Sequence, residues 1–185
     1  MKLRDTKSCI DLRTRGKRVI VFDLDHTLIH GSKKPLKTSP IIREIYLKSI
    51  DVYVYTRPHA IATLYCCIKD SRNIVVIWSA GCRNYVDNVV DDVLLPRVRS
   101  LIPGFNFPRI YYKDNLDDNG IKRVDKLVRK LGVGSAILID DSQSQCLGCG
   151  SEYCKVSPFL ANSASAENDE ELLLLLRNPL FITES

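Results

Sequence analysis

Residues 19–30 read Val-Ile-Val-Phe-Asp-Leu-Asp-His-Thr-Leu-Ile-His, and this stretch decides the fold. Val19 to Phe22 are apolar without a break, which suits a strand covered on both faces, as in the middle of a parallel sheet. Two acids, Asp23 and Asp25, follow at once. With the residue between them turned away, both carboxylates can face one crevice beyond the strand's carboxyl end, where open α/β sheets bind ligands. Carboxylates that close repel, and the repulsion raises one pKa unless a cation offsets it. A divalent cation removes that cost and leaves one acid to attack phosphorus while the other handles protons. The same residues also fit a plainer arrangement, a strand followed by a loop in which Asp25 or Thr27 only satisfies backbone amides.

Outward from this stretch, strands alternate with helices. Residues 1–17 are polar and basic and read as a lead-in, leaving 18–185 as a single domain. Residues 31–40, rich in Lys, Ser and Pro, read as a loop over the crevice that could gate it. Residues 41–47 fit either a short helix or a strand. Residues 50–55 form a strand by their alternation and can pair with the segment before them as a hairpin. Thr56 can cap a helix that begins at Arg57-Pro58 and runs to Ile68. A second buried strand, residues 74–78, ends at Ser79-Ala80-Gly81, and a helix follows over 83–94. Three prolines and a glycine make 96–108 an irregular connection. A short strand over 109–112 leads to Lys113, and residues 121–131 repeat their apolar positions at helical spacing until Gly132 ends them. Residues 135–139 form another buried strand, which ends in Asp140-Asp141-Ser142. An edge strand near 153–156 and a terminal helix over 168–176 complete the chain. This alternation argues for a parallel sheet with right-handed crossovers.

Size and composition agree with that class. The chain has 185 residues, 45% hydrophobic and 26% charged, ordinary values for a globular α/β protein with one proper core. Its net charge of +5 is spread along the chain, which favours a phosphorylated ligand slightly and gives no sign of nucleic acid. No apolar run approaches the roughly 18 residues that a membrane helix needs. The N-terminal segment lacks the apolar stretch of a signal peptide, and seven cysteines, two of them adjacent at Cys66 and Cys67, do not form a secreted disulfide pattern. The expectation is an intracellular protein with reduced thiols. Cys146, Cys149 and Cys154 invite a zinc reading, but three sulfurs at irregular spacing lack a fourth ligand. His26 reads as structural, and His30 and His59 are too isolated to be metal ligands.

Four strand ends thus carry Asp23 with Asp25, Ser79, Lys113, and Asp140 with Asp141, and a parallel sheet opens all four on one edge. With Asp23-Leu-Asp-His-Thr-Leu-Ile-His, Thr56-Arg-Pro-His, Trp78-Ser-Ala-Gly followed by Tyr85 and Val89-Val-Asp, Tyr112-Lys-Asp and Ile139-Asp-Asp-Ser in place, the chain resembles the haloacid-dehalogenase phosphatase superfamily. Within it, the likeness is to the branch of RNA polymerase II C-terminal-domain and small-CTD-type phosphatases. It covers about residues 18–176.

The resemblance implies a three-layer α/β/α sandwich with a central, mostly parallel, Rossmann-type sheet and a minimal cap. It implies Asp23 as nucleophile forming an aspartyl-phosphate, and Asp25 as the acid and base. It implies magnesium held by Asp23, the backbone carbonyl of Asp25 and Asp141, with Asp140 ordering water or Lys113. Thr27, Ser79 and Lys113 would face the phosphoryl group. Lys122 and Lys126 are alternatives to Lys113, and Arg57 either binds substrate or pairs with an acid. The substrate implied is a phosphoserine or phosphothreonine protein, the RNA polymerase II C-terminal domain among them. The end of a nucleic acid or a small metabolite is the second enzymatic reading, and a non-catalytic phosphoprotein-docking module the third. The short segment between Ser79 and Lys113 points to a minimal core with an open crevice.

Overall fold

A computed structural model of the protein describes residues 16–145, 152–178 and 181. Its centre is β1 (Arg18–Phe22), in which Val19, Ile20, Val21 and Phe22 are all fully buried. β1 pairs in parallel with β5 (Asn73–Trp78) on one side and with β7 (Ser135–Asp140) on the other. β6 (Ile110–Tyr111) extends the β5 edge and β8 (Glu152–Lys155) the β7 edge, giving the order β6-β5-β1-β7-β8 with every pair parallel. The chain therefore builds outward from β1 in one direction and then returns to build in the other. β1 is the topological switch point, and the crevice at its carboxyl end is where such sheets place ligands.

Side chains alternate across the sheet, and each face has its own helical cover. Ile20, Phe22, Val75, Ile77, Ile137 and Ile139 pack with α1 (Ala60–Lys69), with α2 (Arg83–Val89) and its continuation, and with α5 (Glu171–Leu175). Val19, Val21, Val76, Trp78, Ala136 and Leu138 pack against Val124 and Leu127 of α4 (Val124–Leu131). The result is a three-layer α/β/α sandwich, as the resemblance implies, around the parallel sheet that the alternation of strands and helices anticipates. Gly132, at φ 65°, closes α4 in the left-handed conformation that favours glycine.

The structure departs from the sequence reading in several elements. Residues 31–40 are not all loop: β2 (Ile29–Ser32) is a strand, antiparallel to β4 (Val52–Thr56), which in turn pairs with β3 (Glu44–Leu47). The hairpin of β3 and β4 matches expectation, but β4 is the middle of a three-stranded sheet and needs a partner on each edge. This small sheet, inserted between β1 and α1, is the cap. Residues 96–101 are helical rather than irregular: α2 runs through a π turn (Val90–Leu94) into α3 (Leu95–Leu101). Pro96 lies in the first turn of α3, where its missing N–H coincides with the widened turn, and buried Val93, Leu94, Leu95 and Val98 hold the helix to the core. Thr56 does not cap α1. His59, at φ 62°, occupies that position without a side-chain cap, and the Thr56 hydroxyl instead accepts a bond from Arg97 Nη1 at 2.7 Å. The terminal helix is shorter than expected, and Cys146 and Cys149 lie outside the described residues.

A strap after β8 fastens the cap's entry to the sheet. Phe159 N donates to His26 O at 2.7 Å and Ala161 N to His30 Nδ1 at 3.0 Å. His26, at φ 60°, turns the chain just past the acids and so serves the backbone.

Candidate active site

The crevice is built by backbone that keeps pairing after the strands end. Asp23 N donates to Ile139 O at 2.9 Å, continuing the β1–β7 ladder by one residue, and Ser79 N donates to Tyr111 O at 3.0 Å, continuing β5–β6. After Asp23 the chain curls: Leu24 O accepts both Leu28 N at 2.9 Å and Ile29 N at 3.0 Å. Leu24 is fully buried and Asp25 turns back toward the sheet edge, as the spacing of the two acids anticipates.

Lys122, with no exposed surface, stands at the centre. Its Nζ donates to Asp23 Oδ1 and to Asp140 Oδ2, the latter at 2.5 Å. Asp23 is 5% exposed and Asp140 is fully buried, with Asp140 Oδ1 also accepting from Ser142 N at 2.8 Å. Burial works against the Lys122 ammonium, but the two carboxylates more than offset it and hold its pKa above the ordinary lysine value. Burial pushes the Asp23 pKa up, with Asp140 adding to the rise and Lys122 opposing it. Asp141 rises for the same first reason, burial, and then through Asp140.

Lys113 does not join this group; of the lysines left open from sequence, Lys122 is the one that lies between the acids. It lies exposed on a single 3₁₀ turn (Lys113–Asn115), tied by its backbone N to Gly81 O at 3.0 Å. Lys113 and Lys122 share the connection from β6 to α4, so the strand order alone does not choose between them. A turn at Asp117 does. Its carboxylate accepts from Asn119 N at 3.0 Å and Ile121 N at 2.9 Å, and Gly120 reverses the chain at φ 76°. That reversal brings Lys122 back over the sheet edge just before α4 begins.

Arg57, left open between two readings from sequence, is committed to partners of its own. It is 2% exposed, pairs with Asp169 at 2.9 Å, donates from Nη1 to Thr27 O at 3.2 Å, and lies 5.8 Å from the Phe159 ring centroid. Of the two readings open from sequence, pairing with an acid is the one that the structure contains. Arg57 braces the loop after β1 from beneath.

Asp25 faces a different set of groups. The Tyr85 hydroxyl donates to its Oδ1, and Ser79 Oγ lies 3.5 Å from its Oδ2. Ser79 is 1% exposed and its Oγ accepts from Gly81 N at 2.9 Å. Burial raises the Asp25 pKa while Tyr85 opposes the rise. Thr27, fully buried, places its hydroxyl 3.5 Å from Asp141 Oδ1. Tyr85 carries no assigned role in the sequence reading. The signal was available, since Tyr85 begins the apolar face of α2 one turn beyond Ser79-Ala80-Gly81.

Asp23, Asp140 and Asp141 each offer a carboxylate oxygen, all within 4.8 Å of one another. Three hard oxygen donors so close fit magnesium, which binds through a few carboxylates and keeps several waters. The Asp25 carboxylate is not one of the trio and is committed to Tyr85 and Ser79. The carboxylates of Asp23 and Asp25 thus have different partners, Lys122 for the one and Tyr85 with Ser79 for the other.

Comparison with known proteins follows the same line. A family model described as NLI interacting factor-like phosphatase matches residues 18–180. The human CTD small phosphatase-like protein is 29% identical over 138 residues, covering 69% of this chain and 44% of the human protein. A probable C-terminal domain small phosphatase of Dictyostelium discoideum is 29% identical over 169 residues, covering 87% of this chain and 49% of its own length. Phosphatase PSR1 of Saccharomyces cerevisiae is 27% identical over 165 residues, 88% of this chain and 36% of that protein. The chain thus spans half or less of the length of these curated relatives. The solved structure of Fcp1, an essential RNA polymerase II CTD phosphatase, superposes with a TM-score of 0.51 at 19% identity over 89% of this chain and 50% of that one, a likeness of fold. With residues 18–180 matched by the family model and the acids of that match gathered at one sheet edge, the chain belongs to the NLI interacting factor-like phosphatase family.

Proposed function

We propose that the protein is a magnesium-dependent phosphomonoester hydrolase acting through an aspartyl-phosphate on Asp23, with phosphoserine or phosphothreonine in a protein as its substrate. The observation that carries this reading is the buried lysine set between Asp23 and Asp140 beside Asp141, at the open end of a parallel sheet. A magnesium ion on the trio would supply positive charge against the meeting of a carboxylate and a phosphoryl group. Asp23 is directed by Lys122, so one carboxylate oxygen is held while the other attacks phosphorus. As the bond from phosphorus to the ester oxygen breaks, protonated Asp25 gives its proton to that oxygen. A water then attacks the aspartyl-phosphate, Asp25 takes its proton back, and Asp23 is released with inorganic phosphate. Tyr85 and Ser79 orient Asp25 throughout, and Ser79 and Thr27, whose hydroxyls lie beside Asp25 and Asp141, would donate to the phosphoryl oxygens.

A protein substrate is favoured by the open cap. A cavity of about 430 Å³ beside Tyr85, lined by Lys33, Ile50, Val52 and Cys82 among others, leaves room for residues that flank a phosphorylated side chain. The relatives named CTD phosphatases make the RNA polymerase II C-terminal domain one candidate substrate.

The test compares turnover of a phosphopeptide, a 3′-phosphorylated oligonucleotide and a sugar phosphate, with and without chelator. The expected result is metal-dependent hydrolysis, highest for the phosphopeptide, with a hydroxylamine-sensitive phosphoenzyme that is absent in Asp23→Asn. Turnover that survives in Asp23→Asn, or that ignores the chelator, overturns the mechanism. A higher specificity constant for the oligonucleotide or the sugar phosphate overturns the substrate class.

A further inference from the structure

A separate cavity of about 280 Å³ opens where the end of β4, the start of α1 and the helix α3 meet. Arg43 and Arg97 both line it, together with Ile41, Thr56 and His59, and none of its lining residues is acidic. The third arginine on the wall, Arg57, is already taken by Asp169. Arg97 is positioned by the bond from its Nη1 to Thr56 Oγ1 at 2.7 Å. Neither Arg43 nor Arg97 has a carboxylate partner among the described residues. Burial, and then the charge of Arg43, hold the Arg97 guanidinium below its ordinary pKa. Like charges brought together at a half-buried site repel, and a negative charge set between them relieves that cost.

The backbone adds a second feature of the same sign. His59 gives α1 no side-chain cap, and the residues of the first turn, Ala60, Ile61 and Ala62, form part of the wall. The opening amides of a helix have no partner within it and favour negative charge; Ala60 N already donates to Arg57 O at 3.2 Å, which leaves those of Ile61 and Ala62.

We propose that this cavity binds a phosphate-type oxyanion, held by Arg43 and Arg97 against the start of α1. Guanidinium forks match the paired oxygens of such a group. The volume exceeds that of a bare ion and admits a phosphoryl group carried on a chain. Two sources share this chemistry, inorganic phosphate and a second phosphoryl group on a phosphorylated peptide. The site does not depend on the catalytic reading, because neither arginine belongs to the crevice.

The experiment is a titration of the full chain with inorganic phosphate, read from the amide ¹H–¹⁵N shifts of Ile61, Ala62 and Ser79 at constant ionic strength. Saturable shifts at Ile61 and Ala62 are expected. Arg43→Ala should weaken that phase by about tenfold, the loss of one charge-assisted contact, while leaving the Ser79 response intact. Arg43 is exposed, so this variant keeps the fold, and Arg43→Ala/Arg97→Ala should abolish the phase. Shifts at Ile61 and Ala62 that are absent, that chloride reproduces, or that survive in the double variant overturn the site. The source is read in Asp23→Asn with singly and doubly phosphorylated peptides. Tighter binding of the second peptide that Arg43→Ala removes assigns the site to substrate, and equal binding assigns it to free phosphate.

Discussion

At the scale of single residues, the centre turns on which lysine lies between the acids. Lys122 is fully buried between Asp23 and Asp140, whereas Lys113 is exposed on its 3₁₀ turn. Lys122→Ala is expected to lower kcat by about 10²–10³-fold, the cost of removing one pre-organised charge. It should also destabilise the protein by about 3–5 kcal/mol, because two buried carboxylates are left unpaired. Lys113→Ala should leave both quantities within about 0.5 kcal/mol of wild type, as for an ordinary surface change. Steady-state kinetics and urea unfolding of the two variants check this, and the opposite ranking would return Lys113 to the site.

Gly31 makes the position of Tyr85 testable in the same way. A Cβ there would lie 2.5 Å from the Tyr85 hydroxyl and 3.5 Å from Asp25 Oδ1. The ring also packs closely over Gly81, where an added Cβ would come within 2.8 Å of its Cδ1. Gly31→Ala should therefore displace the hydroxyl that holds Asp25, reducing kcat by about tenfold with an overpacking cost of about 1–3 kcal/mol. In a Tyr85→Phe background the substitution should cost less, because the atom it strikes is gone. Equal losses in the two backgrounds would separate Gly31 from Asp25.

At the scale of elements, the loop after β1 is held from below by an ion pair that the strands do not supply. Arg57 opens the approach to α1 and Asp169 precedes α5, 112 positions apart in the chain, and they meet at 2.9 Å. Asp169→Ala should cost about 3 kcal/mol, since a buried guanidinium then lacks its counter-charge, and urea unfolding of the variant measures it. A loss under about 0.5 kcal/mol would class the pair with solvent-exposed ones. The pairing explains why Arg57 could not be resolved from sequence: its partner stands beyond every motif that surrounds it. Gly132 shows the opposite case, because a left-handed helix end depends only on the local chain, and the residue is where the periodicity of 121–131 places it.

At the scale of the whole molecule, the parallel sheet gathers acids that lie far apart in sequence. Asp23 belongs to β1's end and Asp140 and Asp141 to β7's end, and pairing of those strands brings their oxygens within 4.8 Å. A cation bound there links stability to metal. Magnesium at a hundredfold excess over its Kd should add about 2.7 kcal/mol, raising Tm by about 5–10 °C for a chain of this length. Calorimetry with and without chelator checks the shift, and Asp141→Asn should remove most of it. An unchanged Tm in the unsubstituted protein would count against the trio as a metal site.

Much of this is legible in the sequence itself. The buried strand 19–22, the alternation of strands with helices and the acids at strand ends depend on local periodicity and on the one-directional geometry of a parallel sheet, both carried by neighbouring residues. The choice of Lys122 over Lys113, the pairing of Arg57 with Asp169, the third strand of the cap and the helix through Pro96 were left to the tertiary structure. Each depends on what a distant segment places opposite: a turn at Asp117, an acid before α5, the free edge of β4, a core that holds α3. Local pattern sets which face a residue presents, whereas charge pairing and edge pairing are settled by the partner across space.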